Sequence, residues 1–383
     1  MTWQSKKLGN IATFVNGKAF KPSDWSDSGL PIIRIQNLTN SIDDIHYYNG
    51  AIEDKYLIAT GDILISWSAT IGVFEWLNGD AVLNQHIFKV VFDKEPIDKT
   101  FFKHLIKQKI DEMLKNVHGS TMKHITKGDF DNIDVLLPSL DEQKKIAKIL
   151  DKADEIRAKK KLANDKLDEF LKSTFISMFG DPVRNEQKLP KQALCSLCNK
   201  ITDGTHDTPP RYDSGVMIIT GKNIRPFKID YSQLDYVTEA DHKIIYERCN
   251  PEYGDVLYTN IGVNLGTAVM NNIHEEFSMK NVALLKNKRE VLNSRFLEHI
   301  LNFNTTKSEI IRISSLGGAQ KFLSLQQIRN FEIIVPPIED QNKFAQIVEH
   351  VEAQKQKNEL VIEQMNNLFN SLSQRAFKGK LDT

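Results

Sequence analysis

Two kinds of hydrophobic pattern alternate along the chain. Short apolar runs broken by Gly, Pro, Asn and Asp occupy residues 1–140 and 181–338, as in Val216-Met217-Ile218-Ile219-Thr220. Such runs predict strands separated by turns. Longer patterns at Thr100–Val117 and Leu292–Ile313 predict helices. Each of these two regions is therefore expected to form a mixed α/β module.

The second pattern is a narrow apolar stripe that occurs twice. From Asp141 to Phe179 there is no Gly or Pro, and apolar residues recur at spacings of three and four. The first stripe comprises Ile146, Ile149, Ala153, Ile156, Ala163, Leu167, Phe170 and Met178, and the second comprises Phe344, Ile347, Val351, Val361, Met365, Leu368 and Leu372. This spacing is typical of the a and d positions of a coiled coil. At ~1.5 Å per residue, each helix should be roughly 60 Å long.

Both stripes are interrupted at their centres by a polar residue, Lys160 in the first and Asn358 in the second. A polar residue at one a position fixes the register of a coiled coil. If the two helices run antiparallel, we expect Lys160 and Asn358 to approach each other at the middle of the pair.

The two halves of the chain repeat each other. Pro138-Ser139-Leu140-Asp141-Glu142-Gln143 returns as Pro336-Pro337-Ile338-Glu339-Asp340-Gln341, 198 residues later. Gly61-Asp62-Ile63-Leu64 returns as Gly254-Asp255-Val256-Leu257 at a different offset. Changing offsets with preserved order indicate one ancestral unit duplicated with loop insertions, and a period this long makes each copy a whole module. The expected fold is two mixed α/β modules in a pseudo-twofold arrangement, joined by two long antiparallel helices that form a coiled coil.

The domain boundaries follow from these patterns. We expect the first module at 1–140 and its helix at 141–180. The second module is expected at 181–338, and the second helix with a short tail at 339–383.

Composition narrows the class of protein. The 383 residues contain 50 Lys plus Arg and 50 Asp plus Glu, so the formal net charge is zero, which argues against a nonspecific polyanion binder. No apolar run approaches the roughly 18–20 residues of a membrane span, and the amino terminus is strand-like rather than a signal peptide. Three cysteines favour a reducing cytoplasm. Cys195-x-x-Cys198 has no second pair at ligand spacing, so we interpret it as packing and expect no metal or cofactor.

Catalytic motifs are incomplete throughout. Thr208-Pro209-Pro210-Arg211 lacks the flanking residues with which an amino-methyltransferase holds a flipped base. The segment from Gly215 to Asn223 imitates a phosphate-binding loop but has the wrong spacing and no hydroxyl for Mg²⁺. Glu142-x-Lys144 resembles the end of a metal-dependent nuclease motif. However, it lies in a predicted helix, and its repeat counterpart, Asp340-x-Asn342, lacks the lysine. These observations predict a chain that is not itself an enzyme.

At this point the residues resemble a known family, the DNA-specificity subunits of type I restriction–modification systems. The resemblance is carried by the repeated Pro-to-Gln motif, Gly119-Ser120-Thr121, Phe179-Gly180-Asp181-Pro182-Val183, Ile201-Thr202-Asp203-Gly204-Thr205-His206 and Ala376-Phe377-Lys378-Gly379-Lys380-Leu381. It implies that each module is a target-recognition domain that reads half of a split, asymmetric site in double-stranded DNA. It also implies that the helices hold two copies of an adenine-methyltransferase (modification) subunit, and that the complex can recruit restriction motor-nuclease subunits.

Candidate DNA contacts lie in loops that match in placement between the two copies but differ in residue identity. Base edges are read mainly by Arg, Lys, Asn, Gln, Ser and Thr, with other side chains on phosphates. The candidates are Lys18, Lys21, Gln36, Asn37, Ser66, Ser68, Thr70, Ser120, Lys123, His124, Thr205, His206, Arg211, Lys222, Asn223, Thr259, Asn260, Asn264, Gln320 and Lys321. For any one of them, the alternative is a solvated loop side chain.

Some roles stay open at the level of sequence. Lys123 and Lys321 occur in both copies, which favours phosphate contacts. Trp67 fits either the core or a stacking contact with DNA. Phe175, Ile176 and Phe369 lie off the stripes and are candidate methyltransferase contacts.

Two other functions compete with this interpretation. One is a specificity chain that serves a methyltransferase–nuclease fusion, which differs only in its partner. The other is a coiled-coil scaffold with no nucleic-acid role, which would not need polar loops varied at matched places.

Overall fold

A computed structural model of the chain describes residues 3–39, 44–116, 126–314 and 322–377. The chain divides into two compact units. Unit 1 comprises Met1–Leu162 with Glu359–Thr383, and unit 2 comprises Ala163–Asn358. Each of the two long helices therefore begins in one unit and ends in the other, because both division points fall inside these helices.

Unit 1 is a mixed α/β structure. Its strands are β1 (Gln4–Lys7), β2 (Thr13–Asn16), β3 (Leu30–Ile33), β4 (Tyr47–Tyr48), β5 (Leu57–Ile58), β6 (Ile63–Ser66), β7 (Gly72–Glu75), β8 (Ala81–Leu83), β9 (Ile87–Val91) and β10 (Asp134–Leu137). Its helices are α1 (Ile35–Leu38), α2 (Lys99–Asn116), α3 (Lys127–Asp131) and the first part of α4 (Leu140–Phe179).

Unit 2 is also a mixed α/β structure. Its strands are β11 (Lys191–Ala193), β12 (Cys198–Asp203), β13 (Val216–Thr220), β14 (Ile224–Arg225), β15 (Lys228–Ile229), β16 (Asp235–Val237), β17 (Val256–Tyr258), β18 (Ala268–Met270), β19 (Ser278–Lys280), β20 (Ala283–Asn287) and β21 (Glu332–Ile334). Its helices are α5 (Leu194–Leu197), α6 (Glu239–Cys249), α7 (Ser294–Asn302), α8 (Asn304–Ser314), α9 (Leu325–Asn330) and the first part of α10 (Ile338–Phe377).

Sheet topology repeats between the units. The four-stranded sheet β2-β9-β6-β7 of unit 1 corresponds to β12-β20-β17-β18 of unit 2. Beside it, β4-β3-β8-β5 corresponds to β16-β13-β19. The central pairs of these second sheets, β3 with β8 and β13 with β19, are parallel. The duplication inferred from the sequence therefore extends to strand order and direction.

The Gly-Asp repeat has a structural explanation. Gly61 and Gly254 have left-handed backbones, with φ of +89° and +86°, just before β6 and β17. The aspartate that follows each glycine pairs with a lysine on the adjacent strand of the sheet, β9 or β20: Asp62 with Lys89 at 3.1 Å, and Asp255 with Lys286 at 2.8 Å. Burial raises the pKa of Asp255, and Lys286 opposes that shift. The same turn and ion pair thus join the start of β6 to β9 in unit 1 and the start of β17 to β20 in unit 2.

The glutamine that ends each Pro-to-Gln motif forms hydrogen bonds that join the start of a long helix to the segment that begins a neighbouring helix. Gln143 is buried; its Nε2 donates to Pro138 O at 3.0 Å, and its Oε1 accepts from Asp98 N at 2.9 Å. Gln341 is also buried and donates to Pro336 O and Val291 O, while accepting from Asn293 N at 2.9 Å.

The residues that these glutamines reach are themselves helix caps. The Asp98 carboxylate accepts from Phe101 N near the start of α2, and the Asn293 side chain caps α7. The start of each long helix is thereby joined to the cap of the helix beside it. At the same turn of α4, the Ser139 hydroxyl donates to Glu142 at 2.8 Å, and this bond lowers the pKa of that carboxyl group.

The predicted pair of long antiparallel helices is confirmed within each unit. In unit 2, Asn358 Nδ2 donates to Asn164 Oδ1 at 2.7 Å, and Lys355 pairs with Asp168 at 2.6 Å. In unit 1, Arg157 donates to Asn366 at 3.0 Å. Asn358 is buried, and the sequence did not single out Asn164 as its partner. Lys160 and Asn358 belong to different units, so the approach expected between them stays a prediction.

Some residues that we assigned to the apolar stripes are exposed, and in places the neighbouring residue is buried instead. Ile149, Phe170 and Leu368 are 40%, 51% and 45% exposed. The buried face of α4 instead comprises Ile146, Ala147, Leu150, Ala153, Leu171, Phe175 and Phe179. The face is wider than one coiled-coil seam because each helix contributes residues to the core of unit 1 at one end and to the core of unit 2 at the other.

Two of the three proposed methyltransferase contacts belong to these cores. Phe175 is 1% exposed, and its ring lies 5.4 Å from Phe344 and 5.8 Å from Phe296. Phe369 is 9% exposed and packs near His104. Both are therefore core residues. Ile176 remains 44% exposed.

The helix predicted at Leu292–Ile313 is interrupted. Phe303 has an extended backbone and separates α7 from α8. Unit 1 has the continuous α2 at this place, so this helix differs between the two copies.

Candidate functional site

The first candidate loop spans residues 16–21 in unit 1 and 205–211 in unit 2, and the glycine at its start lies against another strand. A Cβ at Gly17 would meet Asn84 O at 2.0 Å, and a Cβ at Gly204 would meet Met279 O at 2.1 Å. Real Cβ atoms do not approach this closely, so only glycine allows the contact. Lys18 and Thr205, the next residues, each form an isolated parallel bridge, Lys18 with Asn84 and Thr205 with Lys280.

A turn that the sequence did not reveal lies beside this loop. It follows β8 in unit 1 and β19 in unit 2, and each copy contains a non-glycine residue with a left-handed backbone: His86 at φ +73° and Asn281 at φ +52°. We call residues 84–86 and 281–282 the strained turns. Backbone strain of this kind is found preferentially at functional sites.

The second candidate loop spans residues 66–70 in unit 1 and 259–264 in unit 2, and in unit 1 it joins the same cluster. Trp67 N donates to His86 O at 3.1 Å, and Trp67 Nε1 donates to Asn16 Oδ1 at 3.2 Å. The indole ring is half-buried and packs 5.7 Å from the Phe88 ring. Trp67 thus supports the loops from the edge of the core. We call the first loop, the second loop and the strained turn of each unit its loop cluster.

Ser66 and Thr259 are corrections to the predicted contacts. Both are fully buried at the start of the second loop. The Ser66 hydroxyl donates to Thr70 O at 2.6 Å, and the Thr259 hydroxyl donates to Asn264 O and Thr267 O. These hydroxyls close the loop and cannot reach a base. Asn260 is also buried, at 1% exposed, and its side-chain Oδ1 has no hydrogen-bond partner among the residues that the structure describes.

Asn223 is a further correction, in the turn that follows β13. It is 1% exposed; its Oδ1 accepts from Thr220 N, and its Nδ2 donates to Asp230 O and Gln233 O. In unit 1, Asn37 accepts from Arg34 N at 3.0 Å in the same way but is only half-buried. The repeated asparagine therefore shapes this turn in both units.

The remaining candidates in the described residues are exposed or half-buried. They are Lys18, Lys21, Gln36, Asn37, Ser68, Thr70, Thr205, His206, Arg211, Lys222 and Asn264. Asn264 Nδ2 donates to Gly221 O at 3.1 Å, which links the second loop of unit 2 to the turn after β13. Ser120, Lys123, His124, Gln320 and Lys321 lie outside the described residues.

Cations in the unit 1 cluster lie against aromatic rings. Lys18 Nζ is 4.9 Å from the centre of the Tyr48 ring and 5.5 Å from that of Phe20. The Trp25 and His46 rings are 3.7 Å apart, with the Arg34 guanidinium 5.8 Å from Trp25. Aromatic faces hold these charges in place without neutralising them.

Cations in the unit 2 cluster lie against carboxylates instead. Lys222 and Arg211 share Asp235, at 2.9 Å and 3.8 Å. His206 Nε2 is 2.8 Å from the buried Asp203 carboxylate, and its Nδ1 is 3.2 Å from Asn281 Oδ1. Both ring nitrogens of His206 therefore have partners within unit 2, which leaves the exposed ring face for a ligand. Neither cluster is a bare positive surface.

The residues examined for metal or thiol chemistry give no such site. Across the described ranges, no group of three His, Cys, Asp or Glu side chains could hold a metal ion. Burial raises the pKa of Cys198 to about 12, so its thiol stays protonated. Within the same ranges, no helix is long and apolar enough to span a membrane. What the clusters offer chemically is a set of polar side chains held on rigid loops.

Comparison with known proteins agrees with this geometry. The family described as "Type I restriction modification DNA specificity domain" matches residues 1–167 and 210–364. The chain belongs to this family. It is 23% identical to the EcoBI type I restriction enzyme specificity subunit of Escherichia coli, over 99% of this chain and 86% of that protein. It is 21% identical to the MjaVIII specificity subunit of Methanocaldococcus jannaschii, over 91% and 86% of the two chains.

Solved structures support the fold. The S subunit of a type I restriction–modification system from M. genitalium covers 98% of this chain, and 96% of that subunit is covered in turn. The TM-score is 0.59 at 14% sequence identity. The two-unit architecture with long helices is thus the fold of type I specificity subunits.

Proposed function

We propose that this chain is the sequence-specific DNA-recognition subunit of a type I restriction–modification complex, and that it is not catalytic itself. Each loop cluster reads one half of a split, asymmetric site in double-stranded DNA. The long helices hold the two half-sites at a fixed separation and dock two adenine-methyltransferase subunits. Restriction motor-nuclease subunits are further partners.

One observation carries the proposal: the two loop clusters share a backbone framework but differ in the side chains they present. Gly17 and Gly204, the buried hydroxyls of Ser66 and Thr259, and the strained turns recur at matching places. Between these fixed points, Lys18 in unit 1 stands against Thr205 in unit 2. A shared frame with different polar groups is what reading two unlike half-sites requires.

The test is to co-express the chain with its partner subunits and to map methylated adenines by long-read sequencing. We expect a split motif with two unlike halves and a spacer of several base pairs. A continuous palindrome, or DNA without methylation despite an assembled complex, would contradict the proposal.

Methyltransferase docking is proposed for apolar side chains that repeat on the long helices. Leu162 and Leu360 are 54% and 58% exposed, and Phe170 and Leu368 are 51% and 45% exposed. Each pair is separated by the same 198 residues as the Pro-to-Gln motif. Exposed apolar residues duplicated at the repeat distance indicate two equivalent docking sites.

We expect Phe170→Asp and Leu368→Asp each to lower the methyltransferase content of the complex from two copies to one. A charge at an apolar contact of this type weakens binding by roughly 30-fold or more. Native mass spectrometry of the purified complex measures the copy number. Ile244→Asp is the matched control, because Ile244 is 72% exposed on α6, away from the long helices. Two copies bound to both variants would refute these docking sites.

The alternative of a methyltransferase–nuclease fusion partner differs only in the identity of the bound protein. The scaffold alternative is not favoured, because a scaffold has no use for two polar loop clusters.

A further inference from the structure

The strained turns are fixed to the first loops by the same hydrogen bonds in both units. In unit 1, Lys18 N donates to Leu83 O and Gln85 N donates to Lys18 O, both at 2.9 Å. In unit 2, Thr205 N donates to Met279 O at 2.9 Å and Asn281 N donates to Thr205 O at 3.2 Å. These hydrogen bonds hold each turn against the first loop of its unit.

The backbone of each turn is strained at a residue that is not glycine. Glycine adopts a φ of +73° or +52° without steric cost, yet His86 and Asn281 occupy these positions. Gln85, next to His86, and Asn281 itself are of the side-chain types that read base edges. Backbone strain of this kind is found preferentially at functional sites, which suggests a role for the turn beyond closing the chain.

Gln85 is presented at the tip of the unit 1 turn. It is exposed, and Asn84 Oδ1 accepts from its backbone N at 2.8 Å, which stiffens the turn. Among the residues that the structure describes, the Gln85 side-chain amide has no hydrogen-bond partner. A free amide offers the donor and acceptor pair that matches N6 and N7 of adenine in the major groove.

Asn281 takes the corresponding place in unit 2. One end of its side-chain amide lies 3.2 Å from His206 Nδ1. The other end of the amide is left to hydrogen-bond a base edge. The same backbone position thus carries a different readout group in each unit.

We propose that the strained turns are base-reading segments in addition to the loops identified from sequence. Gln85 reads an adenine in the half-site of unit 1, and Asn281 hydrogen-bonds a base edge in the half-site of unit 2. This assignment rests on the proposed function, since it requires that each unit reads one half of a split DNA site.

The test compares methylation motifs of complexes that contain Gln85→Ala or Asn281→Gly. Glycine is chosen at Asn281 because it keeps the left-handed backbone. We expect Gln85→Ala to relax one position of one half-site and Asn281→Gly to relax one position of the other. Discrimination at the relaxed base pair should fall about 5- to 150-fold in competition binding. Gln4→Ala, an exposed glutamine on β1 of unit 1, is the matched control and should leave the motif unchanged.

The outcomes separate the two proposals. If the wild-type complex methylates a continuous palindrome, the proposed function fails. If the wild-type motif is split but Gln85→Ala and Asn281→Gly leave it unchanged, the assignment of the strained turns is overturned alone. A uniform loss of methylation with no relaxed position also overturns it, because that result would indicate a purely structural turn.

Discussion

Gln341→Ala is expected to lower the free energy of unfolding of unit 2 by about 3 kcal/mol, because removing one partner leaves buried polar groups unsatisfied. The lost side chain would strand Asn293 N–H and the Pro336 and Val291 carbonyls. Position 341 is fully buried, so bulk water does not reach the groups left without a partner. Urea unfolding of the purified chain, followed by circular dichroism, measures the change.

Gln143→Ala is the equivalent substitution in unit 1 and should destabilise that unit by a comparable amount, since Gln143 bonds Pro138 O and Asp98 N. Gln346→Ala serves as the control, because Gln346 is exposed on the same helix as Gln341. If Gln341→Ala were no more destabilising than Gln346→Ala, the locking role of the repeated glutamine would be wrong.

Gly17→Ala should reduce the affinity of the assembled complex for its cognate DNA by roughly 100-fold, through loss of several base-pair contacts in one half-site. The new methyl group would lie 2.0 Å from Asn84 O, so the first loop must move away from the strained turn by more than 1 Å. Readout groups need positioning within about 0.5 Å. Gly204→Ala should have the same effect on the other half-site. Fluorescence anisotropy with a labelled cognate duplex measures both.

Two glycines of the same units provide the controls. A Cβ at Gly128 would meet nothing nearer than 3.8 Å, and one at Gly221 nothing nearer than 4.0 Å. Gly128→Ala and Gly221→Ala should therefore bind DNA like the wild type. Normal affinity in Gly17→Ala and Gly204→Ala complexes would show that the first loop and the strained turn need not stay in contact.

The architecture was largely predictable because it depends on patterns that extend over many residues. A span from Asp141 to Phe179 with no Gly or Pro defined a helix that the structure places at Leu140–Phe179. The face of that helix was less predictable. Ile149 fits a two-helix seam, but Leu150 is the buried residue, because α4 also packs on the unit 1 core. A stripe read from one helix does not show how many neighbours that helix has.

The candidate site was predictable in location but not residue by residue. Polar side chains in loops serve both to close turns and to contact ligands, and Ser66, Thr259 and Asn223 do the first. Their sequence context is the same as that of exposed candidates such as Thr70. The sequence does not indicate the strained turns, because the residues with a left-handed backbone, His86 and Asn281, are not glycines.

The division of the chain into units has a consequence for the order of folding. Unit 2 is one continuous segment, Ala163–Asn358, inserted between the two parts of unit 1. During synthesis, every residue of unit 2 is added to the chain before Phe369, which belongs to the core of unit 1. Unit 1 must therefore close a loop of nearly 200 residues to complete its core, at an entropic cost that grows only slowly with loop length. The two units have similar folds, but they fold one after the other, and the amino-terminal unit is completed last.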